Sequence, residues 1–204
     1  MLFSIKMSDK PGAGALRGNL RDGHLKYQAG AVDATLFGGP ILAPDGVAEI
    51  GDHRLMAFDS DTDAQAHLAD APFIVGGLHE SSEILPWSAS VPFDWRDCPR
   101  TRRHIQFLII AYDKPDSDQL RDRLRAEHEA FQSRVSDLYL TRGPLMNAAN
   151  DRQIGSLMIV DVADAAAGHA FWAGEPFNYG GLFEHAEIYR WRFDDRLDRF
   201  ASPD

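Results

Sequence analysis

Two stretches of the chain place apolar residues along one face of a predicted helix, and each of these stripes has a histidine in its middle. In the later stretch the steps are four, four, three and four residues, which on an α-helix brings the side chains to one side. Charged and amide residues fill the other faces. The stripe consists of Leu120, Leu124, His128, Phe131 and Val135, in a helix expected over residues 117–136. We therefore expect this face to lie against a core.

The earlier stretch repeats the same steps, with each residue 104 positions before its counterpart, in a helix expected over residues 15–29. Its members are Leu16, Leu20, His24, Tyr27 and Ala31. Further motifs recur at the same offset: Asp-Lys-Pro from Asp9 and Asp113, Gly-Pro from Gly39 and Gly143, Pro-Phe from Pro72 and Pro176, Gly-Gly-Leu from Gly76 and Gly180, and Trp87 with Trp191. The pattern predicts a tandem duplication, with repeats over 1–88 and 104–193, a linker over 89–103 and a tail over 194–204.

Each repeat is predicted to follow the order β-α-β-β-α-β. The expected strands cover 2–7 and 105–112, then a second strand that runs into each Gly-Pro, then 53–58 and 156–162, and last a strand that reaches Trp87 or Trp191; the second helices cover 62–70 and 163–173. This is the order of the ferredoxin-like unit, an α+β fold. Because its helices cover one sheet face, the other face needs a partner. We expect the two repeats to pack sheet on sheet, with the helices outside.

Charge and cysteine content narrow the functional classes. The net charge of −10 argues against a nucleic-acid partner, whose binding depends on Lys and Arg at phosphates. The short basic cluster over 96–104 is interpreted as part of a solvated linker. The lone cysteine, Cys98, excludes a disulfide within the chain and fits a reducing compartment. No apolar run approaches membrane-spanning length, and the N-terminus leads directly into a strand, so we expect a cytoplasmic protein without a membrane partner.

Both repeats resemble the YCII-related domain, a ferredoxin-like module of the dimeric α/β-barrel superfamily. The resemblance is carried by the opening strand with Asp-Lys-Pro, the helix histidines His24 and His128, the Gly-Pro after the second strand, and the Pro-Phe before the last strand. Members of this family pair two separate chains. The resemblance therefore implies that this chain is an intramolecular version of that dimer, and a homodimer of the fused pair stays open.

The resemblance also implies candidate catalytic residues. The family has an aspartate directly before Pro-Phe, which is suspected of forming an acid/base pair with the helix histidine. In this sequence that place holds Glu175 in the second repeat and Ala71 in the first, while Asp70 lies one residue too early. The candidates are therefore His128 with Glu175 and, less completely, His24 with Asp70.

A histidine with a carboxylate partner can take up and return protons near neutral pH. The implied function is a cofactor-independent acid/base enzyme, of the lyase or isomerase type, that acts on a small organic molecule without a metal. The alternative is a non-catalytic protein that binds a small ligand. Each histidine could instead simply form a hydrogen bond inside the core, and Glu175 could be a solvated loop carboxylate.

Two further motifs were weighed for cofactor or metal binding. Gly12, Gly14 and Gly18 resemble a dinucleotide loop, but the third glycine falls one residue late. His79-Glu80 and Glu184-His185 lack the spacing of a metal site, and we expect them at the surface.

Overall fold

The computed structural model describes residues 1–194 as an α+β fold with eight antiparallel strands, six α-helices and two short 3-10 helices in that range. The strands are β1 Leu2–Asp9, β2 Thr35–Leu42, β3 Glu49–Ala57, β4 His79–Trp87, β5 Ile105–Asp113, β6 Tyr139–Met146, β7 Gln153–Val162 and β8 Phe183–Trp191. The helices are α1 Gly14–Ala29, α2 Asp61–Asp70, α3 Pro72–Val75, α4 Asp118–Arg134, α5 Ala165–Ala173 and α6 Pro176–Tyr179. None of these helices is long and apolar enough to cross a membrane.

The eight strands form one closed barrel in the order β1-β3-β2-β8-β5-β7-β6-β4. Four neighbouring strands come from each half of the chain. The halves join at two narrow seams, where β2 pairs with β8 at Ile41 and Leu42, and β4 pairs with β6 at Trp87. The sheet of each half therefore faces the sheet of the other half across the barrel, and the edges of the two sheets are also joined.

Alternation along the strands divides the core into layers. Leu108, Ile110 and Trp191 belong to the apolar cluster that fills the barrel. Phe107 and Ile109, on the opposite face of β5, pack with Phe131 of α4 in a second cluster. A third cluster, which includes Phe3 and Ile5 of β1, occupies the corresponding place in the first half. The helices therefore lie outside the barrel, as the sequence predicts.

Two local predictions need correction. The Gly-Pro motifs lie inside β2 and β6 rather than after them. Pro40 is tolerated in β2 because its backbone faces the seam, where its carbonyl accepts from the Arg192 N–H. Strand pairing at the seam is sparse, so the N–H that Pro40 lacks costs little. Each Pro-Phe motif forms a short additional helix, with proline at its first turn, where a proline is well tolerated.

The segment after the last strand of each half crosses onto the other half. Arg192 donates its backbone N–H to Pro40, and Ser88 donates its own to Pro144. A Cβ at Gly39 would lie 1.9 Å from the Arg192 carbonyl oxygen, and a Cβ at Gly143 would lie 1.7 Å from that of Ser88. Glycine is therefore required at both crossings, which gives the first residue of each Gly-Pro a physical role.

The connecting segment over 89–103 is not merely solvated. Trp95 is buried in the cluster that fills the barrel, and its backbone N–H donates to the Leu36 carbonyl. Cys98 packs against the same cluster. The basic cluster around it is anchored too, because Asp161 accepts from the Thr101 N–H and bonds to the His104 ring. The chain between the halves thus closes one part of the barrel.

Candidate functional site

Each half of the molecule has a cavity that its helix histidine lines, between its first long helix and its second and third strands. The volumes are about 280 Å³ in the first half and about 300 Å³ in the second. Each cavity is completed by the crossing segment of the other half, through Asp194 in the first and Ser90 in the second. Most residues that line the two cavities occupy corresponding positions, so differences between the cavities can be compared directly.

The second cavity brings together two of the candidate residues. His128 Nδ1 lies 2.6 Å from Glu175 Oε1. The His128 side chain is 13% exposed and lines the cavity, whereas the Glu175 side chain is fully buried. Glu175 therefore lies against the histidine. It is not the solvated loop carboxylate that the sequence left open as an alternative.

The local fold explains this placement. Glu175 immediately precedes Pro176, and its Oε2 accepts the Asn178 backbone N–H at the start of α6. Phe177, the second residue of the Pro-Phe motif, stacks on the His128 ring with centroids 3.9 Å apart. The motif therefore orients both partners, because its phenylalanine supports the ring and its helix start holds the carboxylate.

This arrangement determines which nitrogen of His128 can do chemistry. A carboxylate beside Nδ1 favours the tautomer that donates from Nδ1, so the lone pair is then on Nε2. With Nδ1 directed to the buried Glu175, Nε2 is the nitrogen left to the cavity. If Nε2 takes up a proton, the adjacent carboxylate stabilises the imidazolium. The pair is thus suited to general base catalysis.

A buried arginine forms the floor of each cavity, and sequence reasoning missed both. Arg121 binds Asp113 through its Nε and Nη2 atoms at 2.9 and 2.6 Å, and its guanidinium lies 4.6 Å from the centre of the Phe177 ring. Arg17 binds Asp9 in the same way. The helical pattern assigned arginines to solvent-facing sides. The repeated eight-residue spacing from the Asp of Asp-Lys-Pro to these arginines is the signal that could have identified them.

In the first cavity His24 also stacks on a phenylalanine, Phe73, with centroids 3.7 Å apart, and it contacts Gln28. The place that corresponds to Glu175 is filled by buried Ala71. Asp70 is the last residue of α2 and is exposed. Its negative charge tends to raise the pKa values of Tyr27 and His67. The first half therefore has the stacked histidine without a carboxylate at the aligned position.

The first cavity instead contains a network of ion pairs. Arg17 donates from Nε to Asp9 and from Nη2 to Asp52, and both distances are 2.7 Å. Glu49 accepts from Arg21 and Arg192, at 2.6 and 2.5 Å. Burial tends to raise the pKa of Asp9 and Glu49, but their hydrogen bonds and these arginines hold both pKa values below the ordinary range. For Asp52 burial dominates and raises its pKa in spite of Arg17.

His79 belongs to this network, and its predicted surface position was wrong. Its side chain is 2% exposed, and its Nδ1 lies 2.9 Å from Asp9 Oδ1. Atoms of His79, Asp9 and Asp52 that could bind a metal lie within 4.8 Å of one another. However, the Arg17 guanidinium already donates to both carboxylates. It supplies the positive charge that a metal ion would bring, so the group is better described as an ion-pair cluster.

Comparison with known proteins supports the family for the second half of the chain. Residues 105–192 match the model of the YCII-related domain. No curated protein matches the sequence. Among solved structures, a 5-chloro-2-hydroxyhydroquinone dehydrochlorinase from Burkholderia phenoliruptrix AC1100, in complex with 2,5-dihydroxybenzoquinone, is 26% identical. The alignment covers 46% of this chain and 100% of that one, with a TM-score of 0.43.

Two other solved structures match along nearly the whole chain. A chlorite dismutase from Candidatus Nitrospira defluvii is 12% identical, with coverage of 98% of this chain and 96% of that one and a TM-score of 0.63. A heme-binding protein from Thermus thermophilus is 12% identical, with coverage of 98% and 92% and a TM-score of 0.56. At this identity the likeness shows the fold alone, which is that of the dimeric α/β-barrel proteins.

Proposed function

We propose that the second cavity is the site of a cofactor-independent acid/base enzyme, of the lyase or isomerase type, that acts on a small organic molecule. His128 is the general base in this proposal, and Glu175 is the residue that positions it. The observation that carries the proposal is the 2.6 Å contact between His128 Nδ1 and the buried Glu175 carboxylate, at the wall of a cavity of about 300 Å³. A cavity of this size suits a small organic substrate.

The reaction would begin with transfer of a proton from an activated C–H bond to His128 Nε2. The imidazolium formed in this step is stabilised by Glu175. An isomerase would return the proton to a different atom of the same molecule. A lyase would instead expel a leaving group, with the electron pair of the broken C–H bond forming the new double bond.

We also infer that the two halves are tandem YCII-like repeats over 1–88 and 104–193, although the family model matches the second alone. Corresponding residues make corresponding contacts in each half. The stacking of His24 on Phe73 matches that of His128 on Phe177, and the Arg17–Asp9 pair matches Arg121–Asp113. The element order is also the same in both halves, apart from the linker.

The alternative is a protein that binds a small ligand without converting it. One observation favours it: Glu175 also caps α6 through the Asn178 N–H. A carboxylate at this place therefore has a structural use that requires no catalysis. The two proposals differ in one respect, which is whether His128 exchanges protons with a bound molecule.

Exchange of hydrogen for deuterium separates these proposals. Small compounds with an acidic C–H next to a carbonyl are incubated with the protein in D2O, and the loss of the C–H signal is followed by NMR. For compounds that exchange, we expect His128→Gln to lower the rate by about 10²–10⁴-fold, the usual contribution of a general base. Glu175→Gln should lower it to a smaller degree, since it removes the orienting charge and keeps the ring.

His24→Gln is the matched control, because it changes the corresponding histidine of the first half. We expect its exchange rate to stay within about twofold of the rate of the unmodified protein. This corresponds to a change of less than about 0.5 kcal/mol in the activation barrier. Equal rates in His128→Gln and the unmodified protein would contradict the catalytic proposal. Compounds that bind at His128 without any exchange would favour the ligand-binding alternative.

A further inference from the structure

We propose that the second cavity takes an organic anion, and that Arg142 binds its carboxylate or enolate oxygen. This inference deepens the proposed function, because it names the class of molecule for the same site. The binding of an anion can nevertheless be measured without any catalysis.

The evidence begins with the environment of Arg142. Its side chain lines the second cavity, and its guanidinium lies over the Tyr139 ring at 5.1 Å from the centroid. Its Nη1 donates to the Gln132 side-chain oxygen at 2.6 Å, whereas its buried Nε has no hydrogen-bond partner among residues 1–194. In the same range no carboxylate lies within ion-pair distance of Arg142. A half-buried guanidinium is thus left with an unused donor and an unbalanced charge at a cavity wall.

The first cavity shows how such a charge can be balanced by a carboxylate of the chain itself. There the guanidinium comes from the neighbouring strand, because Gly38 holds the position of Arg142 and Arg54 that of Met158. A Cβ at Gly38 would lie 2.7 Å from Arg54 Nη1, so the two halves place a guanidinium in nearly the same region. In the first half Asp194 lies 3.4 Å from Arg54. The charge is therefore matched within the protein.

Three carboxylates of the first cavity are replaced by neutral residues in the second. Gln153 stands at the position of Glu49, Ser156 at that of Asp52, and Ser90 at that of Asp194. Every replaced carboxylate in the first half accepts from an arginine. Their loss in the second half removes the internal partners but keeps arginines in the wall. An anionic ligand would supply the missing partner.

The overall charge makes this local excess informative. The chain has a formal net charge of −10, so its surface on average repels anions. The lining of the second cavity has three arginines, Arg121, Arg125 and Arg142, against one carboxylate, Glu129. A concave wall with an excess of positive charge raises the local concentration of anions despite that background. Guanidinium is also suited to planar oxyanions, which it can bind through two parallel hydrogen bonds. In the proposed reaction, removal of a proton adds negative charge to the substrate, and the same arginine would stabilise that charge.

The test uses benzoate as the anion and benzamide as a neutral compound of nearly the same shape. Affinity is measured by calorimetry, and the site is identified from NMR shifts of the Arg142 Nε–H and the His128 ring. We expect benzoate to bind at least about tenfold more tightly than benzamide, which corresponds to one charge-assisted contact. The preference should weaken as salt is raised. Arg142→Gln should abolish it.

Two more variants make the result specific. Ser156→Asp introduces the carboxylate that the first half has at Asp52, and we expect it to weaken benzoate binding by about tenfold because it pairs with the arginines of the wall. This variant also serves if Arg142→Gln does not fold. Arg21→Gln is the control from the first cavity, where that arginine side chain is 43% exposed. It should leave benzoate binding unchanged.

Three results would overturn the inference. They are equal binding of benzoate and benzamide, a preference for benzoate that survives Arg142→Gln, and a loss in Arg21→Gln as large as in Arg142→Gln. None of these depends on proton exchange. If benzoate binding requires Arg142 but no compound exchanges its C–H, the anion site stands and the proposed enzymatic function fails.

Discussion

The two cavities have the same framework but different interiors. In both, a histidine stacks on the phenylalanine of a Pro-Phe motif, and an arginine binds the aspartate of Asp-Lys-Pro. In the first cavity the charged groups pair with one another, as Arg17 does with Asp52 and Glu49. In the second, a buried carboxylate holds the histidine and an arginine is left without an ionic partner in the described range.

This difference separates groups that maintain the fold from groups that are available to a ligand. The shared contacts position the first helix and the Pro-Phe turn in each half. The carboxylates that the second half lacks, Glu49, Asp52 and Asp194, line the wall of the first cavity. We therefore expect substitutions in the first cavity to act mainly on stability, and those in the second to act mainly on binding and proton exchange.

The largest effect on stability is expected from Arg17→Met. Arg17 is 4% exposed and balances both Asp9 and Asp52, so its loss leaves Asp52 without its ion-pair partner and Asp9 with His79 alone. Breaking a buried ion pair in this way lowers the free energy of unfolding by about 3–5 kcal/mol. Arg121→Met, which removes the partner of Asp113 alone, should cost about 1–3 kcal/mol. Urea unfolding of both variants measures the two values, and equal losses would contradict the distinction between the cavities.

A smaller effect, dependent on pH, is expected from His53, whose position in the second half holds Leu157. His53 is fully buried and bonds to Ser4 at 3.0 Å. Burial, with the charges of Lys6 and Arg54, lowers its pKa to about 3. The unfolded chain therefore binds a proton that the folded protein excludes, at pH values between about 6.5 and the folded pKa. Stability should fall as the pH is lowered through this window.

The variant His53→Leu should lose this pH dependence. Relative to it, we expect the free energy of unfolding of the unmodified protein to drop by up to about 1.4 kcal/mol for each pH unit below 6.5. Urea unfolding at several pH values between neutral and mildly acidic tests this. Parallel curves for the two proteins would show that His53 is not held neutral.

The smallest effect is expected from Cys98→Ser, in the segment that joins the halves. Burial raises the pKa of the Cys98 thiol to about 11, so the thiol is protonated at neutral pH and reacts slowly. We expect the substitution to change stability by less than about 1 kcal/mol and to leave proton exchange unaltered. Reaction of the unmodified protein with a thiol reagent should likewise be slow. A rapid reaction or a large loss of exchange would assign Cys98 a role in chemistry.

Much of the fold could be predicted because local pattern and long-range order agreed. The four-four-three-four steps located both long helices to within about two residues at each end, the usual uncertainty of such boundaries. The repeated offset indicated that His24 and His128 would occupy corresponding places. The position before Pro-Phe then directed attention to Glu175, which the structure places beside His128.

Other features could not be read from local pattern. Periodicity treats every arginine as polar, so it could not show that Arg17 and Arg121 are buried by pairing with aspartates of a neighbouring strand. Closure of the barrel depends on short pairings between strands distant in sequence. The burial of Trp95 has the same cause, because its site is formed by the barrel and not by the adjacent residues.

The crossing of each terminal segment onto the opposite half has a consequence for how the two cavities can change over time. In a symmetric pair of identical chains, any mutation appears in both sites at once. Here Ser90 completes one cavity and Asp194 completes the other, and each is encoded separately. A single mutation can therefore alter the specificity of one cavity while the other retains its structural role.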